Sequence, residues 1–272
     1  MIVAALVTAL GLFVVGSVTQ LYGYRLGGTI VVPVLAVYTL KNAIMLPIFL
    51  LSALLAFVGL SVIRQTTLIY GRDELLVVMG IGSVVPLALL VGLSSQVPDA
   101  LRSVVFVGSI LPGLAAFNYH QVKPAYRFPD AVTATLLFAG LVGLGWLLVT
   151  PGLAGTLGTI TPPALYTETS DVAVIKRAAV SAYLDPSILP RPGVVGLFFA
   201  GLLISERVRG RYGVRIGLIA VPLLAIYSLA SAWLVVLYVV LLGIAFAFLQ
   251  AVHARTLLYG RVLVSLTTGV TE

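Results

Sequence analysis

Residues 216–250 read IGLIAVPLLAIYSLASAWLVVLYVVLLGIAFAFLQ, with no Asp, Glu, Lys or Arg among them. At 1.5 Å per helical residue the run is about 52 Å long, nearly two crossings of a roughly 30 Å hydrocarbon layer. The rest of the chain has the same character. Its 272 residues are 60% hydrophobic and 9% charged, with mean hydropathy +1.15. Soluble domains carry about 25% charged residues, so a soluble enzyme, a disordered protein and a nucleic-acid-binding domain are all excluded. A polytopic, all-α transmembrane helix bundle remains. With no cysteine there is no disulfide framework, zinc–thiolate site, Fe–S cluster or Cys nucleophile.

Outward from that run, further apolar segments follow one another. Met1–Val18 is read as a span rather than a removed signal peptide. Leu26–Ile63 is interrupted by Lys41–Asn42 and is long enough for nearly two crossings. Its first part, Gly28–Leu40, is short and holds Pro33, the pattern of a broken or re-entrant helix. Leu75–Leu93 and Ala131–Val149 are spans. Ser103–Phe117 carries Leu-Pro-Gly at 111–113, a helix interruption, and Gly193–Ile204 is another apolar segment. Thr150–Arg191, rich in Thr, Pro and Gly, is expected to be an extramembranous loop. Within it Asp171–Leu184 suits a short amphipathic helix N-capped by Ser170 or Asp171.

The net charge is +7 and the pI about 9.8, and the basic residues fall between the apolar runs. With each segment taken as one crossing and the N-terminus outside, the inner connections hold Arg25, Arg64, Arg72, Lys123, Arg127, Arg207, Arg209, Arg211, Arg215, Arg255 and Arg261. Lys41, Arg102, Lys176, Arg177 and Arg191 fall outside. The excess of basic residues on one side is what the positive-inside rule expects, so the charge needs no nucleic-acid partner.

An internal duplication is visible. YGYRLGGTIVVPVLAVYTL (22–40) returns as YGVRIGLIAVPLLAIYSL (212–229), and TLIYGR (67–72) as TLLYGR (256–261). Pro33 pairs with Pro222, Tyr70 with Tyr259, Gly71 with Gly260 and Arg72 with Arg261, all at an offset of 189. An even number of crossings between the copies would make the repeats parallel. The expected organisation is a first membrane repeat at 1–150, the loop at 151–191 and a second, incomplete repeat at 192–272.

Each motif has two readings. The Arg of Tyr-Gly-Arg can bind carboxylate or phosphate as a fork, or it can snorkel into head groups as an interfacial anchor. The Val-Pro pairs at 32–33 and 221–222, with Pro112 and Gly113, either shape a substrate path or are packing kinks. Asn118–Arg127, which includes Lys123 and Arg127, suits an anionic polymer or a partner surface, or is an ordinary loop. Glu206, followed by four arginines, is a partner contact or local charge balance. His120 and His253 lack metal-spaced companions, so no metal or cofactor is expected. No catalytic motif stands in a useful context.

The order of these segments resembles the membrane subunit of poly-γ-glutamate synthase, the PgsC/CapC family. ISERVRGRYGVRIGLIAVPLLAIYSL (204–229) is similar to its acidic-basic turn and Val-Pro helix. LIYGRDELLVVMGIG (68–82) and LLYGRVLVSLTTG (257–269) are similar to its Leu-Tyr-Gly-Arg helix end. FVGSILPGLAAFNYHQVKPAYRFPDAVTATLLFAG (106–140) is similar to its Val-Pro-Gly segment and last helix. Leu111 departs from the Val of that motif, and Thr19-Gln20 stands where the first copy should carry an acidic turn.

The resemblance implies a non-catalytic cell-membrane subunit working with a cytoplasmic ATP-dependent amide ligase and an anionic polymer, with homo-oligomers among the expected assemblies. Tyr70, Gly71, Arg72, Tyr259, Gly260, Arg261, Lys123, Arg127 and Glu206 are the expected polymer or partner contacts. Pro33, Pro222, Pro112 and Gly113 are the expected path-shaping residues. The competing expectation is a stand-alone transporter or channel for a small anion, with paired broken helices as its site.

Overall fold

The computed structural model describes residues 2–69, 71–86, 88, 110–157, 165–168, 170–180, 191–213 and 232–255. Among the described residues the fold is all-helical, with no strand. Among them, four helices are long and apolar enough to cross a membrane: Ile2–Tyr22, Met45–Thr66, Pro124–Leu148 and Val235–Arg255. The chain divides into two compact units, residues 1–182 with 252–270 and 272, and residues 183–251 with 271.

The first unit contains α1 (Ile2–Tyr22), α2 (Val31–Lys41), α3 (Met45–Thr66), α4 (Arg72–Gly82), α5 (Ile110–His120), α6 (Arg127–Leu148) and the short α7 (Pro151–Leu157) and α8 (Asp171–Ile175). Hydroxyls inside the apolar helices are hidden on their own backbone: Thr8, Thr39, Ser52, Ser61 and Thr133 each donate to the carbonyl four residues earlier. Proline is placed where it costs least. Pro33 is the third residue of α2, and the first helical bond there is made by Val34 N to Ile30 O. An N–H at that position would have had no partner within the helix.

The segment 28–40, read as broken or re-entrant, runs from one end of the unit to the other. At its start the Arg25 and Leu26 amides bond Asp130, in the first turn of α6. Just past its end, the Ala43 amide donates to Asp171 Oδ2 at 2.8 Å, in the segment that follows α6. The traverse combines an entry loop with an 11-residue helix of about 16 Å. Leu26, Gly27 and Gly28 take φ of 48°, 68° and 117°, so the loop turns inward and then into α2. Gly28 is required twice over, by its φ and because a Cβ there would stand 2.7 Å from Asn118 Nδ2.

Small residues set the close crossings. A Cβ on Gly11 of α1 would lie 2.8 Å from Pro33 and from Leu141, and one on Gly145 of α6 would strike Leu40. On the other side α4 meets α5 backbone to backbone. A Cβ on Gly113 would be 2.6 Å from Met79 Cα, and one on Gly82 2.8 Å from Gly113 N. Such small-residue contacts are how helices approach closely when no water drives them together. Leu111, Pro112 and Gly113 lie within helical backbone rather than interrupting it. The expected span Leu75–Leu93 is instead broken at Ser83, whose N–H closes the last turn of α4 on Met79 O and Gly80 O.

Much of the described part of 151–180 is packed rather than free. Leu165, Tyr166, Val172 and Ala178 share one core with Val3, Val7, Val32, Ala36, Leu40 and Leu141. Val180 N donates to Tyr166 O, and Lys176 Nζ donates to the Trp146 carbonyl. Ser170 is the N-cap of α8, but its hydroxyl makes no cap bond. The helix is shorter than Asp171–Leu184, because Arg177 at φ 53° leaves the right-handed helical region. Residues 181–184 lie outside the described residues.

In the second unit α9 (Arg191–Tyr212) is one 22-residue helix. Its acidic-basic stretch is helical rather than a turn, with Glu206 and Arg209 paired at 2.8 Å across one turn. Gly213 ends it at φ 67°, its N–H on Arg209 O, much as Gly23 ends α1 at φ 70° on Thr19 O. α10 (Ala232–Arg255) follows, and no residue in its apolar window is buried. The second copy beyond Gly213 and the TLLYGR stretch from Thr256 onward lie outside the described residues.

The glycine crossing yields a direct test. Gly113→Val should cost about 1–3 kcal/mol, because the added atoms meet backbone that cannot step aside. Thermal unfolding in detergent should show Gly113→Val melting lower than wild type, while Gly140→Ala, whose Cβ enters open space, does not.

Candidate functional site

Four of the basic residues expected on one side gather at one end of the first unit. Arg25 donates through Nη1 to Gln121 Oε1, and its backbone is held by Asp130. Arg127 opens α6, donates through Nε to Val122 O at 3.3 Å, and sets its guanidinium 5.9 Å above the Tyr119 ring. Lys123, exposed, lies between them in sequence. Arg64 reaches Glu74 from the last turn of α3. The Lys176 contact is at the other end of α6, on Trp146, about 28 Å away along the helix. Lys41 ends α2 at that far end, two residues before Ala43.

Two acids at the basic end are held within the fold, and a third, Asp73, is exposed in the first turn of α4. Asp130 is 1% exposed and takes the Arg25 amide at 2.6 Å and the Leu26 amide at 3.0 Å on Oδ1. Its place in the first turn of α6 adds the favourable helix dipole. Glu74, 5% exposed, is ion-paired with Arg64 and ties α4 to α3. The cations of Lys123 and Arg127 make no ion pair among the described residues, so this end presents net positive charge to an anionic surface.

His120 stacks on Phe57 with ring centres 4.1 Å apart. Its Nε2 donates to the Phe57 carbonyl at 2.9 Å and lies 3.2 Å from Ser61 Oγ. With that nitrogen spent as a donor, it cannot take the Ser61 proton, so the pair locks α5 to α3 rather than forming a nucleophilic dyad. Among the described residues no three His, Asp or Glu side chains gather as a metal site.

Above this end an apolar groove of about 710 Å³ lies between α2, α3, α5 and α6. Tyr119 and Asp130 mark its polar end, and Leu46 and Phe138 lie at the other. Pro33 faces α1, and Gly113 faces α4, so neither forms the groove wall. Gly71 precedes α4 at φ 67°. Arg72 is the first residue of α4, and its side chain is outside what is described. Tyr70, Tyr259, Gly260, Arg261 and Pro222 lie outside the described residues. Glu206 sits on α9 in the second unit.

Sequence reasoning passed over Asp130, Glu74 and Gln121. The available signal for Asp130 was an acid directly after Phe128-Pro129, at the mouth of a clean span. For Glu74 it was an acid in the first turn of a helix that follows an Arg-bearing helix end.

These features define, in the first unit, a helix bundle whose long helices are apolar enough to span a membrane, with a basic end and an open lateral groove. Residues 10–128 match the family model for capsule biosynthesis CapC. The match runs from the middle of α1 through α5 and the basic loop, less than half of the chain, and the matched family is one of capsule biosynthesis. No curated protein and no solved structure matches the chain.

Two substitutions test the site's construction. Asp130→Leu strands the buried Leu26 amide and the half-buried Arg25 amide and should cost about 2–4 kcal/mol, whereas Asp130→Asn keeps an acceptor and should cost less. Hydrogen exchange should show faster exchange at the Arg25 and Leu26 amides in the Leu variant. Arg64→Met should destabilise by up to about 3 kcal/mol by leaving Glu74 buried and unpaired, and adding Glu74→Gln should recover most of the loss in an unfolding melt.

Proposed function

We propose that this chain is the integral-membrane subunit of a complex that makes and exports an anionic polyamide of the poly-γ-glutamate type. It docks a cytoplasmic ATP-dependent amide ligase and guides the polymer across the cell membrane. The observation that carries this reading is the CapC family match over residues 10–128, which takes in Arg25, Arg64, Arg72, Lys123 and Arg127. A polymer with one carboxylate per residue, or an acidic ligase face, is the natural partner for these cations. The bond chemistry is assigned to the ligase.

The segregation of charge supports a multi-pass arrangement with the basic end inward. Arg25, Arg64, Lys123 and Arg127 stand at one end of α6, and Lys176 at the other. The shared end-of-helix conformation of Gly23 and Gly213 supports the duplication, in which Arg261 repeats the role of Arg72.

Co-expression with the candidate ligase, ATP and glutamate tests the proposal. A protease-resistant acidic polymer of high mass is expected when both proteins are present. Polymer from the ligase alone, or none with a demonstrably active ligase, would sink the reading. Lys123→Gln with Arg127→Gln, and separately Arg72→Gln with Arg261→Gln, should lower polymer yield or ligase capture about tenfold. Transport of a small anion by the purified chain in liposomes would favour the stand-alone transporter instead.

A further inference from the structure

The apolar groove in the first unit is not explained by an anionic polymer. Its walls are almost wholly hydrocarbon, and a chain of carboxylates would lose its hydration there without polar partners. The groove is also open on one flank. Leu50 and Leu54, which line it, are 58% and 60% exposed, and both belong to α3, a helix long and apolar enough to span a bilayer.

Its length can be read from its lining. Leu46 to Phe57 along α3 measures about 16 Å, and Asp130 to Phe138 along α6 about 12 Å. A hydrocarbon chain laid along the groove meets apolar wall over that length, on the side where Leu50 and Leu54 are exposed.

The polar end supplies the other half of the ligand. Tyr119 lines the groove there, and the Arg127 guanidinium stands 5.9 Å above that ring. Lys123 is exposed four residues earlier. The Asp130 carboxylate also lines this end, but it is buried against the Arg25 and Leu26 amides. Cations above a hydrocarbon slot complement a negative head group carried on an acyl chain.

We propose that this groove is a binding site for an anionic phospholipid, one acyl chain lying between α3 and α6 and the phosphate held by Lys123 and Arg127. The site shares Lys123 and Arg127 with the polymer-synthesis reading, but its occupancy is measured on the chain alone and its slot is tested at Ala134, so either reading can fail without the other.

The test uses the full chain in nanodiscs of phosphatidylcholine and phosphatidylglycerol at a 4:1 ratio, followed by detergent extraction and native mass spectrometry. One phosphatidylglycerol per chain should stay bound, enriched at least fivefold over its share of the disc. Ala134→Trp, which fills the slot, should cut retention at least tenfold. Ala139→Trp, exposed and outside the groove lining, should retain lipid as wild type does. Lys123→Gln with Arg127→Gln should keep a bound lipid but lose the enrichment.

Retention that ignores Ala134→Trp would overturn the site. So would a wild-type chain that carries no lipid, or one that extracts as a dimer dispersed by Ala134→Trp, which would mean a second copy covers the groove. A phosphatidylglycerol bearing a diazirine on its acyl chain requires no variant. Labelling concentrated on residues 46–57 and 131–138 is expected, and labelling spread evenly over α1 and α10 refutes the proposal.

Discussion

The Asp130 carboxylate is the pin on which the first unit depends. One oxygen takes two successive amides, those of Arg25 and Leu26, from a loop more than a hundred residues away in sequence. A buried carboxylate needs such donors, and loop amides packed away from water need such an acceptor. The bond holds Leu26 in a left-handed conformation that a non-glycine residue adopts at a cost of about 1–2 kcal/mol. It also fixes where α2 starts, and therefore which face of α2 meets Gly11 of α1 and Gly145 of α6. The entry to the groove and the seat of Arg25 beside Gln121 follow from the same contact.

Two kinds of adhesion hold the unit together, and they sit on opposite sides. Around α1, α2 and α6, branched aliphatic side chains interlock, and the 165–178 stretch adds Tyr166 and Val172 to that core. Around α3, α4 and α5, the helices come within backbone contact through Gly82 and Gly113, secured by the Arg64–Glu74 pair and the His120 stack on Phe57. The groove opens where these two halves meet but do not close, because α2 is too short to fill the space between the two long helices α3 and α6.

The helical class, the long spans and the clustering of cations were legible in the sequence, because each depends on composition summed over many residues. The resemblance carried by LIYGR and the Leu-Pro-Gly segment was legible for a similar reason: several weak motifs kept their order. Local breaks were harder. Pro112 looked like an interruption, yet a proline within the first described turn of α5 removes little, while Ser83, with no special signal, ended α4. The Thr- and Pro-rich stretch after α6 looked detached because its anchors, Leu165 and Tyr166, are few and spaced without a period. Asp130 and Glu74 escaped notice because pairing across a hundred residues, or between two successive helices, leaves no local pattern.

The shortness of α2 has a consequence for the inside of the unit rather than its outline. A helix of about 16 Å is roughly half of a 30 Å hydrocarbon layer. The approach to it is the loop from Tyr24 to Ile30, in which the Arg25 and Leu26 amides turn onto Asp130. Val31, Val32, Leu35, Ala36 and Leu40 are buried, so the longer helices around α2 set the apolar height of the outer surface. Polar backbone is thereby kept in the interior, sealed by a single carboxylate, while the exterior of the unit stays hydrocarbon.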